Sequence, residues 1–109
     1  MKIQVWQAKE HITRNSMFYS RNGRIFSLYD VIQHMRDKDY TLVATVEADD
    51  LDEAYAMTQN VEKAWNTEKP CRSTSVGDVL KVEKEHHRKF HVVAACAFDT
   101  FVMFPHDGE

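Results

Sequence analysis

Alternating apolar and polar residues predict the first strands of this chain. In the stretch Lys2–Gln7, Ile3 and Val5 share one face and Trp6 takes the other, which is the two-residue period of a β-strand. The stretch Tyr40–Glu47 alternates in the same way and is rich in β-branched residues. Its second face is also apolar, which is typical of a strand with neighbours on both sides. We therefore predict a strand at 2–7 and a central strand at 40–47.

Further strands are expected in the last third of the chain. The stretch Val76–Glu83 opens with a Gly-Asp turn and continues with apolar residues. A charged hairpin loop is expected at 83–89, followed by an alternating strand at 90–98. A short strand at 100–104 is expected to complete the sheet.

The segment between the first strand and the first helix contains Asn22-Gly23, a dipeptide typical of tight hairpin turns. It predicts a β-hairpin with short arms at 17–20 and 24–26. A helical turn at 12–19 is the alternative interpretation of the same segment.

The first helix is predicted to begin at Ser27, which is a favourable N-cap residue. Its apolar face has helical spacing and comprises Leu28, Val31, Ile32 and Met35. The helix is expected to end at 36–38, shortly before the strand at 40–47 begins.

The second helix is predicted to begin after Asp50. Glu53 lies three residues later, as in a capping box. An apolar stripe then continues over about four turns and comprises Leu51, Ala54, Tyr55, Thr58, Val61 and Trp65. Asn66 is expected to end this helix, and Pro70 prevents its continuation.

Together these elements predict the α+β class. A single small domain at 1–104 is expected, in which a mixed or antiparallel sheet carries two helices packed on one face. Residues 105–109 are expected to form a flexible C-terminal tail. The predicted core comprises Val5, Val31, Met35, Leu42, Ala44, Val46, Tyr55, Val61, Trp65, Leu80, Val82 and Val92.

The composition sets bounds on class and location. The 109 residues are enough for one domain with a substantial core. A net charge of -3 argues against a strongly acidic nucleic-acid mimic and against a dedicated basic DNA-binding module. Two distant cysteines fit a reducing compartment, and no apolar run has the length of a signal peptide or a membrane span. We therefore expect a cytoplasmic protein without membrane contact.

A specific residue order follows the second helix: Trp65-Asn66, then Pro70, then Arg72-Ser73-Thr74-Ser75-Val76-Gly77-Asp78-Val79-Leu80. This segment resembles the YodL-like group of small bacterial and mobile-element proteins. Members of that group combine an aromatic-Asn helix end with a nearby proline and a similar run that leads into a hairpin. The chain departs from the group in its last strand, where Ala97-Phe98 replaces Gly-Phe. The resemblance implies a small α+β domain encoded by a phage, plasmid or integrated element, and it assigns no functional residue.

His86, His87 and His91 form a histidine-rich segment, in which His87 and His91 are four residues apart. On a helix this spacing places two imidazoles on one face, as a zinc site requires. The segment is predicted to be a loop entering a strand, and no complete ligand set accompanies it. A solvated turn is therefore expected, without a metal or any other cofactor.

The acidic run comprises Glu47, Asp49, Asp50, Asp52 and Glu53. Such a run is a candidate site for a hard cation, but it lacks the alternating oxygen ligands and central glycine of a calcium loop. Because most of these carboxylates lie at a predicted helix N-terminus, where the helix dipole favours negative charge, helix capping is the expected role.

Hydroxyl groups cluster at 73–75, beside Gly77, where they are a candidate phosphate site. The run lacks the glycine-lysine pattern of a phosphate-binding loop and precedes a strand rather than a helix. Hydrogen bonds to the nearby backbone are therefore the expected role of these residues.

The two cysteines differ in their expected reactivity. Cys96 is predicted to be an inert core thiol. Cys71 precedes Arg72, whose charge is expected to lower the pKa of the thiol and make it the more reactive of the two. No histidine is placed beside it by the sequence and no catalytic motif occurs elsewhere, so the chain is not expected to be an enzyme.

In the segment 14–24, three arginines are interleaved with Phe18 and Tyr19. The first interpretation is structural: Phe18 and Phe26 lie in the core and the arginines solvate the hairpin. The segment is also the main candidate for a contact surface.

The predicted interaction surface comprises Arg14, Tyr19, Arg21, Arg24, Arg72, Ser73, Ser75 and Asp78. The expected function is a small accessory module that binds a host or phage protein. Weak, salt-sensitive binding of nucleic acid through 14–24 is the alternative. A third option for 14–24 is a homodimer, in which this segment meets the acidic helix start of a second copy. The third hypothesis for the function is an enzyme or metal protein built on His86, His87, His91 and a cysteine.

Overall fold

The computed structural model describes residues 1–9, 28–86, 88–94 and 98–103. Its elements, in chain order, are β1 Lys2–Ala8, α1 Leu28–Arg36, β2 Tyr40–Glu47, α2 Leu51–Met57, β3 Val79–Val82, β4 Lys89–Val93 and β5 Phe98–Val102. The hairpin predicted at 17–26 and the tail predicted at 105–109 lie outside the described residues, as does the predicted domain end at 104. None of the described helices is long and apolar enough to cross a membrane.

The described strands form one five-stranded antiparallel sheet in the order β2-β1-β3-β4-β5. The predicted α+β class is thereby confirmed: the chain forms a small compact domain in which an antiparallel sheet is combined with two short helices. β1 bridges the two halves of the sheet, because it pairs with β2 on one side and with β3 on the other.

The predicted central position of β2 is wrong, because β2 is an edge strand among those that the structure describes. Leu42, which was expected in the core, is 41% exposed. The register with β1 shifts between Val5 and Trp6, which leaves Val43 as the extra residue of a β-bulge. Tyr40 then packs in one core cluster and Val43 in the other. The bulge therefore explains why both faces of this edge strand carry apolar residues.

The two helices cover opposite faces of the sheet, which corrects the prediction that both pack on one face. Val31 of α1 packs with Val79 and Val92, whereas Ala54 of α2 packs with Leu80. Val79 and Leu80 are consecutive residues of β3, and consecutive side chains point to opposite faces. All four residues of β3 are buried, so each face of this strand requires a covering layer.

Helix α2 ends at Met57, about two turns earlier than predicted. The hydroxyl of Thr58 donates to the carbonyl of Ala54 over 3.0 Å, and the carbonyl of Thr58 accepts from the N–H of Thr74, also over 3.0 Å. The backbone thus leaves the helix to pair with a segment much later in the chain. As a result Val61, which was expected in the core, is 83% exposed.

The last strands begin earlier than predicted. β4 is Lys89–Val93 rather than 90–98, and Phe98 opens β5 instead of closing β4. Five predicted core residues are buried: Val5, Val31, Leu80, Val82 and Val92. Another five are half-buried: Met35, Ala44, Val46, Tyr55 and Trp65.

Candidate functional site

Arg72 and Asp78 form a bidentate ion pair in the turn that precedes β3. The distances are 2.6 Å from Nη1 to Oδ2 and 2.7 Å from Nη2 to Oδ1. Asp78 is 1% exposed, whereas 35% of the Arg72 side chain reaches solvent. Gly77, with a φ of 94°, provides the left-handed backbone conformation that this turn requires.

The same pair attaches the turn to the end of β1. The backbone N–H of Ala8 donates to Asp78 Oδ1 over 3.0 Å, and the carbonyl of Ala8 accepts from Arg72 Nη2 over 3.0 Å. The N–H of Ser75 donates to Asp78 Oδ2 over 2.8 Å. A buried carboxylate with this many donors is compensated for the water it loses on folding.

Tyr40, the first residue of β2, contributes a further hydrogen bond to this turn. Its hydroxyl donates to the carbonyl of Gly77. Burial raises the pKa of the Tyr40 hydroxyl far above its ordinary value, and the negative charge of Asp78 acts in the same direction. Tyr40 therefore stays a neutral hydrogen-bond donor throughout the physiological pH range.

Within the predicted interaction surface, the structure brings Arg72, Ser73, Ser75 and Asp78 together. Ser73 Oγ accepts from the N–H of Asn60 over 2.7 Å, and Ser75 Oγ accepts from Arg72 Nη1 over 3.2 Å. Both hydroxyls bond inside the protein, as expected for a structural role, but their partners are a distant backbone N–H and an arginine side chain rather than the nearby backbone that the sequence predicts. The other members, Arg14, Tyr19, Arg21 and Arg24, lie outside the described residues, so contact through 14–24 with protein, nucleic acid or a second copy stays a prediction.

Residues 58–70 form an irregular loop, called here the stapled loop, which is fixed by side-chain hydrogen bonds. Asn60 is its main anchor: its Nδ2 donates to the carbonyl of Cys71 over 2.9 Å, and its Oδ1 accepts from the N–H of Trp65 over 2.9 Å. The Trp65 indole donates to the carbonyl of Arg72 over 3.0 Å. These bonds give the loop a defined conformation without regular secondary structure.

The other end of the stapled loop reaches the edge of the sheet. Asn66 Nδ2 donates to the carbonyl of Val43, the bulge residue of β2, over 3.4 Å. Asn66 Oδ1 accepts from the N–H of Lys69 over 3.1 Å. A side chain that bonds the bulge carbonyl protects this part of the strand edge, because it competes with the backbone of any added strand.

The stapled loop carries an exposed apolar surface. Met57 is 45% exposed and Val61 is 83% exposed, with the exposed Ala64 and the half-buried Trp65 beside them. We call these four residues the Trp65 surface. An open depression of about 470 Å³ lies along them. A second depression, of about 430 Å³, lies between Trp65 and β2.

Sequence reasoning missed this surface, because it placed the same residues in the buried stripe of a longer helix. The sequence signals for a helix end are Asn66 and Pro70, whereas the helix ends at Met57. The bonds that end the helix come from Thr74 and from the side chain of Gln59, whose Nε2 bonds the carbonyls of Tyr55 and Thr74 over 2.9 Å each.

The acidic run caps α2, as predicted. The N–H of Glu53 donates to Asp50 Oδ1 over 2.8 Å, and Glu53 Oε1 accepts from the N–H of Asp49 over 3.3 Å. These reciprocal bonds resemble a capping box, although the glutamate reaches the residue before the N-cap. Asp52 and Glu53 also place negative charge in the first turn, which the helix dipole favours.

The histidines of the 86–91 segment bond to different groups. His91 Nε2 is 2.7 Å from Glu85 Oε1, and His91 Nδ1 is 3.0 Å from Thr100 Oγ1. His86 Nδ1 accepts from the N–H of Arg88 over 3.2 Å. His87 lies outside the described residues. Both ring nitrogens of His91 are thus engaged by protein groups, which is not the arrangement of a preformed metal ligand.

A different histidine cluster lies at the end of α1. Ligand atoms of His34, Asp37 and Asp39 lie within 4.8 Å of one another. His34 Nδ1 is 2.8 Å from Asp39 Oδ2, and Lys38 between the two aspartates has a φ of 60°. Sequence reasoning did not single out this His-x-x-Asp-x-Asp pattern. The hydrogen bond and the left-handed turn describe a helix end closed by a side chain.

Cys71 is a half-buried free thiol whose pKa is raised, whereas the sequence predicts a lowered pKa beside Arg72. Burial raises the pKa of the Cys71 thiol; Arg72 acts in the opposite direction, and Asp78 in the same direction as burial. Burial is the largest of these effects, and the Asp78 carboxylate offsets part of the Arg72 charge, so the net shift is upward. Cys96 lies outside the described residues.

Comparisons with protein-family models, with curated proteins and with solved structures find no match to this chain. The resemblance to the YodL-like group therefore stays a prediction that rests on the residues of the 65–80 segment.

Proposed function

We propose that the protein is a small interaction module and that the Trp65 surface is its contact site. The observation that carries this proposal is the combination of apolar exposure with a fixed backbone. Val61 is 83% exposed on a loop that Asn60 and Trp65 hold in place.

Exposed apolar residues on a fixed loop do little for folding. Burial of apolar surface stabilises by about 25 cal/mol per Å², and Val61 gains little of this stabilisation in the isolated domain. A partner that covers Val61 and Met57 supplies the missing burial. The exposed apolar patch is therefore better explained by binding than by folding.

The stapled loop is also suited to be a contact site because it is already ordered before a partner binds. Ordering a loop at an interface opposes association, so a loop that is already fixed binds with a smaller entropic cost. Trp65 lies between the two depressions. Tryptophan and methionine are enriched at protein interfaces, and tryptophan is prominent among the residues that dominate binding energy.

The partner is proposed to be a protein of the host or of a phage, in keeping with an accessory role. The resemblance to mobile-element proteins supports this choice. Contact with nucleic acid is disfavoured for the Trp65 surface, because its neighbours include Glu62 beside Lys63 and therefore provide no basic patch.

Site-specific photocrosslinking in cells tests the proposal. A benzophenone amino acid is placed at position 61 and, as a matched control, at position 102, where Val102 is 44% exposed on β5. We expect a discrete adduct from position 61 and none of the same mass from position 102. Equal adduct patterns from both positions, or none from position 61, would contradict the proposal.

A further inference from the structure

A second chemical arrangement lies away from the Trp65 surface, on β4 and β5. His91 and Thr100 are directly paired across these antiparallel strands, and Thr100 Oγ1 is 3.0 Å from His91 Nδ1. The other ring nitrogen, Nε2, is 2.7 Å from Glu85 Oε1. A hydroxyl, an imidazole and a carboxylate are thus connected in one chain of hydrogen bonds.

The carboxylate sets the direction of these bonds. Partial burial raises the pKa of Glu85, but hydrogen bonds from His91 and Lys89 and the positive charges of these two groups outweigh it, so the pKa is lowered. An ionised carboxylate can only accept, so in the neutral form of the imidazole the proton lies on Nε2. His91 Nδ1 then carries a lone pair, and the Thr100 hydroxyl donates to it.

Solvent reaches this series of hydrogen-bonded groups from one end only. Thr100 is exposed, whereas His91 is 7% exposed. An electrophile in solvent can therefore approach the hydroxyl, while the base behind it is shielded from water. A nucleophile that bonds a base, with the base held by a third group, is the arrangement that activates hydroxyls in acyl transfer.

We infer that Thr100 is an acyl-accepting nucleophile, with His91 as its general base and Glu85 as a positioning residue that holds the imidazole. The substrate class is an activated acyl donor, such as an ester or thioester with a good leaving group.

The acyl transfer needs only these three side chains and the acyl donor, and its bonds and protons are accounted for as follows. Thr100 Oγ1 attacks the carbonyl carbon and forms a new C–O bond, while its proton moves to His91 Nδ1. The tetrahedral intermediate then expels the alcohol or thiol of the donor, and His91 Nδ1 returns the proton to this leaving group. The product is an O-acyl-threonine and a neutral imidazole.

Acetylation by p-nitrophenyl acetate, followed by peptide mass mapping, tests the inference. Thr45 is the internal control, because it is an exposed threonine that pairs with Gln4 rather than with a histidine. We expect Thr100 to be acetylated roughly 100-fold faster than Thr45, which is the low end of general-base effects. His91→Gln should reduce the Thr100 rate to that of Thr45, and Thr100→Val should remove the site.

The variants also separate activation from structure. Glu85→Gln should leave Thr100 as the labelled residue but slow its acetylation, because the amide no longer provides the charged acceptor that holds the imidazole, and Glu85→Asp should restore part of the rate. A purely structural bond would change stability without this order of acetylation rates. Thr100→Ser keeps the hydroxyl and should be labelled at least as fast as the wild type, which preserves a test if His91→Gln fails to fold.

Acetylation of Thr100 no faster than that of Thr45 in the folded wild type would overturn the inference, as would an unchanged Thr100 rate in folded His91→Gln. Neither result bears on the Trp65 surface, which lies on a different part of the chain.

Discussion

The guanidinium of Arg72 binds the buried carboxylate of Asp78 through two hydrogen bonds of 2.6 and 2.7 Å. The carbonyl of the same arginine accepts from the Trp65 indole, while its Nη2 donates to the carbonyl of Ala8. One residue therefore connects the stapled loop, the turn before β3 and the end of β1. The fixed loop conformation depends on this connection.

Removal of Arg72 should destabilise the domain strongly. In Arg72→Ala the buried Asp78 carboxylate loses its partner charge, which typically costs about 3–5 kcal/mol. The arginine is 35% exposed, so we expect the lower end of this range. Urea unfolding measures the free energy, and Lys69→Ala on the exposed part of the same loop should change it by less than about 0.5 kcal/mol. Equal effects of the two substitutions would contradict the structural role of the ion pair.

Tyr40→Phe should lower stability and change its pH dependence. Loss of the hydroxyl leaves the Gly77 carbonyl without this donor, which costs about 1–3 kcal/mol for a buried group. The pKa of Tyr40 is raised in the folded state, so above about pH 10 the unfolded chain loses a proton that the folded chain keeps. The Tyr40 contribution is therefore complete below pH 10 and is lost progressively above it.

Unfolding free energies between pH 8 and pH 11 measure this slope. The wild type should lose stability more steeply than Tyr40→Phe at the upper end of the range. Parallel curves for the two proteins would mean that Tyr40 is not buried in the protonated form.

Asn60→Ala should loosen the stapled loop without unfolding the domain. The substitution removes the bonds to the Cys71 carbonyl and to the Trp65 N–H, at a net cost of about 1–2 kcal/mol. Acrylamide quenching of Trp65 fluorescence, measured in a Trp6→Phe background, should increase. Lys63→Ala, at an exposed position of the same loop, should leave quenching unchanged; if the two variants give equal quenching, Asn60 does not fix Trp65.

Local sequence patterns were sufficient for the elements whose ends are set locally. The alternation at 2–7 and 40–47 and the capping pair Asp50 and Glu53 gave correct strands and a correct helix start. The end of α2 is not predicted because the group that bonds the backbone there is the N–H of Thr74, which donates to the carbonyl of Thr58 from 16 residues along the chain. The edge position of β2 was missed because alternation reports burial and does not specify which strand is the neighbour.

The candidate sites were less predictable for the same reason. The 73–78 run was recognised as specific, but its specificity lies in bonds to Asn60 and Ala8 that only the fold brings close. The sequence spacing relates His91 to His87, whereas the hydrogen-bond partners of His91 in the structure are Glu85 and Thr100. The positions of His91 and Thr100 in the sequence do not specify the cross-strand register that pairs them.

Val61→Asp should leave stability almost unchanged. Val61 is 83% exposed, and substitutions at exposed positions usually change the unfolding free energy by less than about 0.5 kcal/mol. If position 61 were buried on a helix, as the sequence pattern indicates, the aspartate would place an unpaired carboxylate in the core. The loss of unfolding free energy would then be several times larger. Urea unfolding distinguishes these outcomes, and a large loss of stability would place Val61 in the core.

Competition for the adduct formed from position 61 tests the central claim most directly. Excess unlabelled wild-type protein should suppress the adduct, whereas excess Val61→Asp, verified as folded, should leave it intact. Suppression by both competitors to the same extent would show that binding does not use the Trp65 surface.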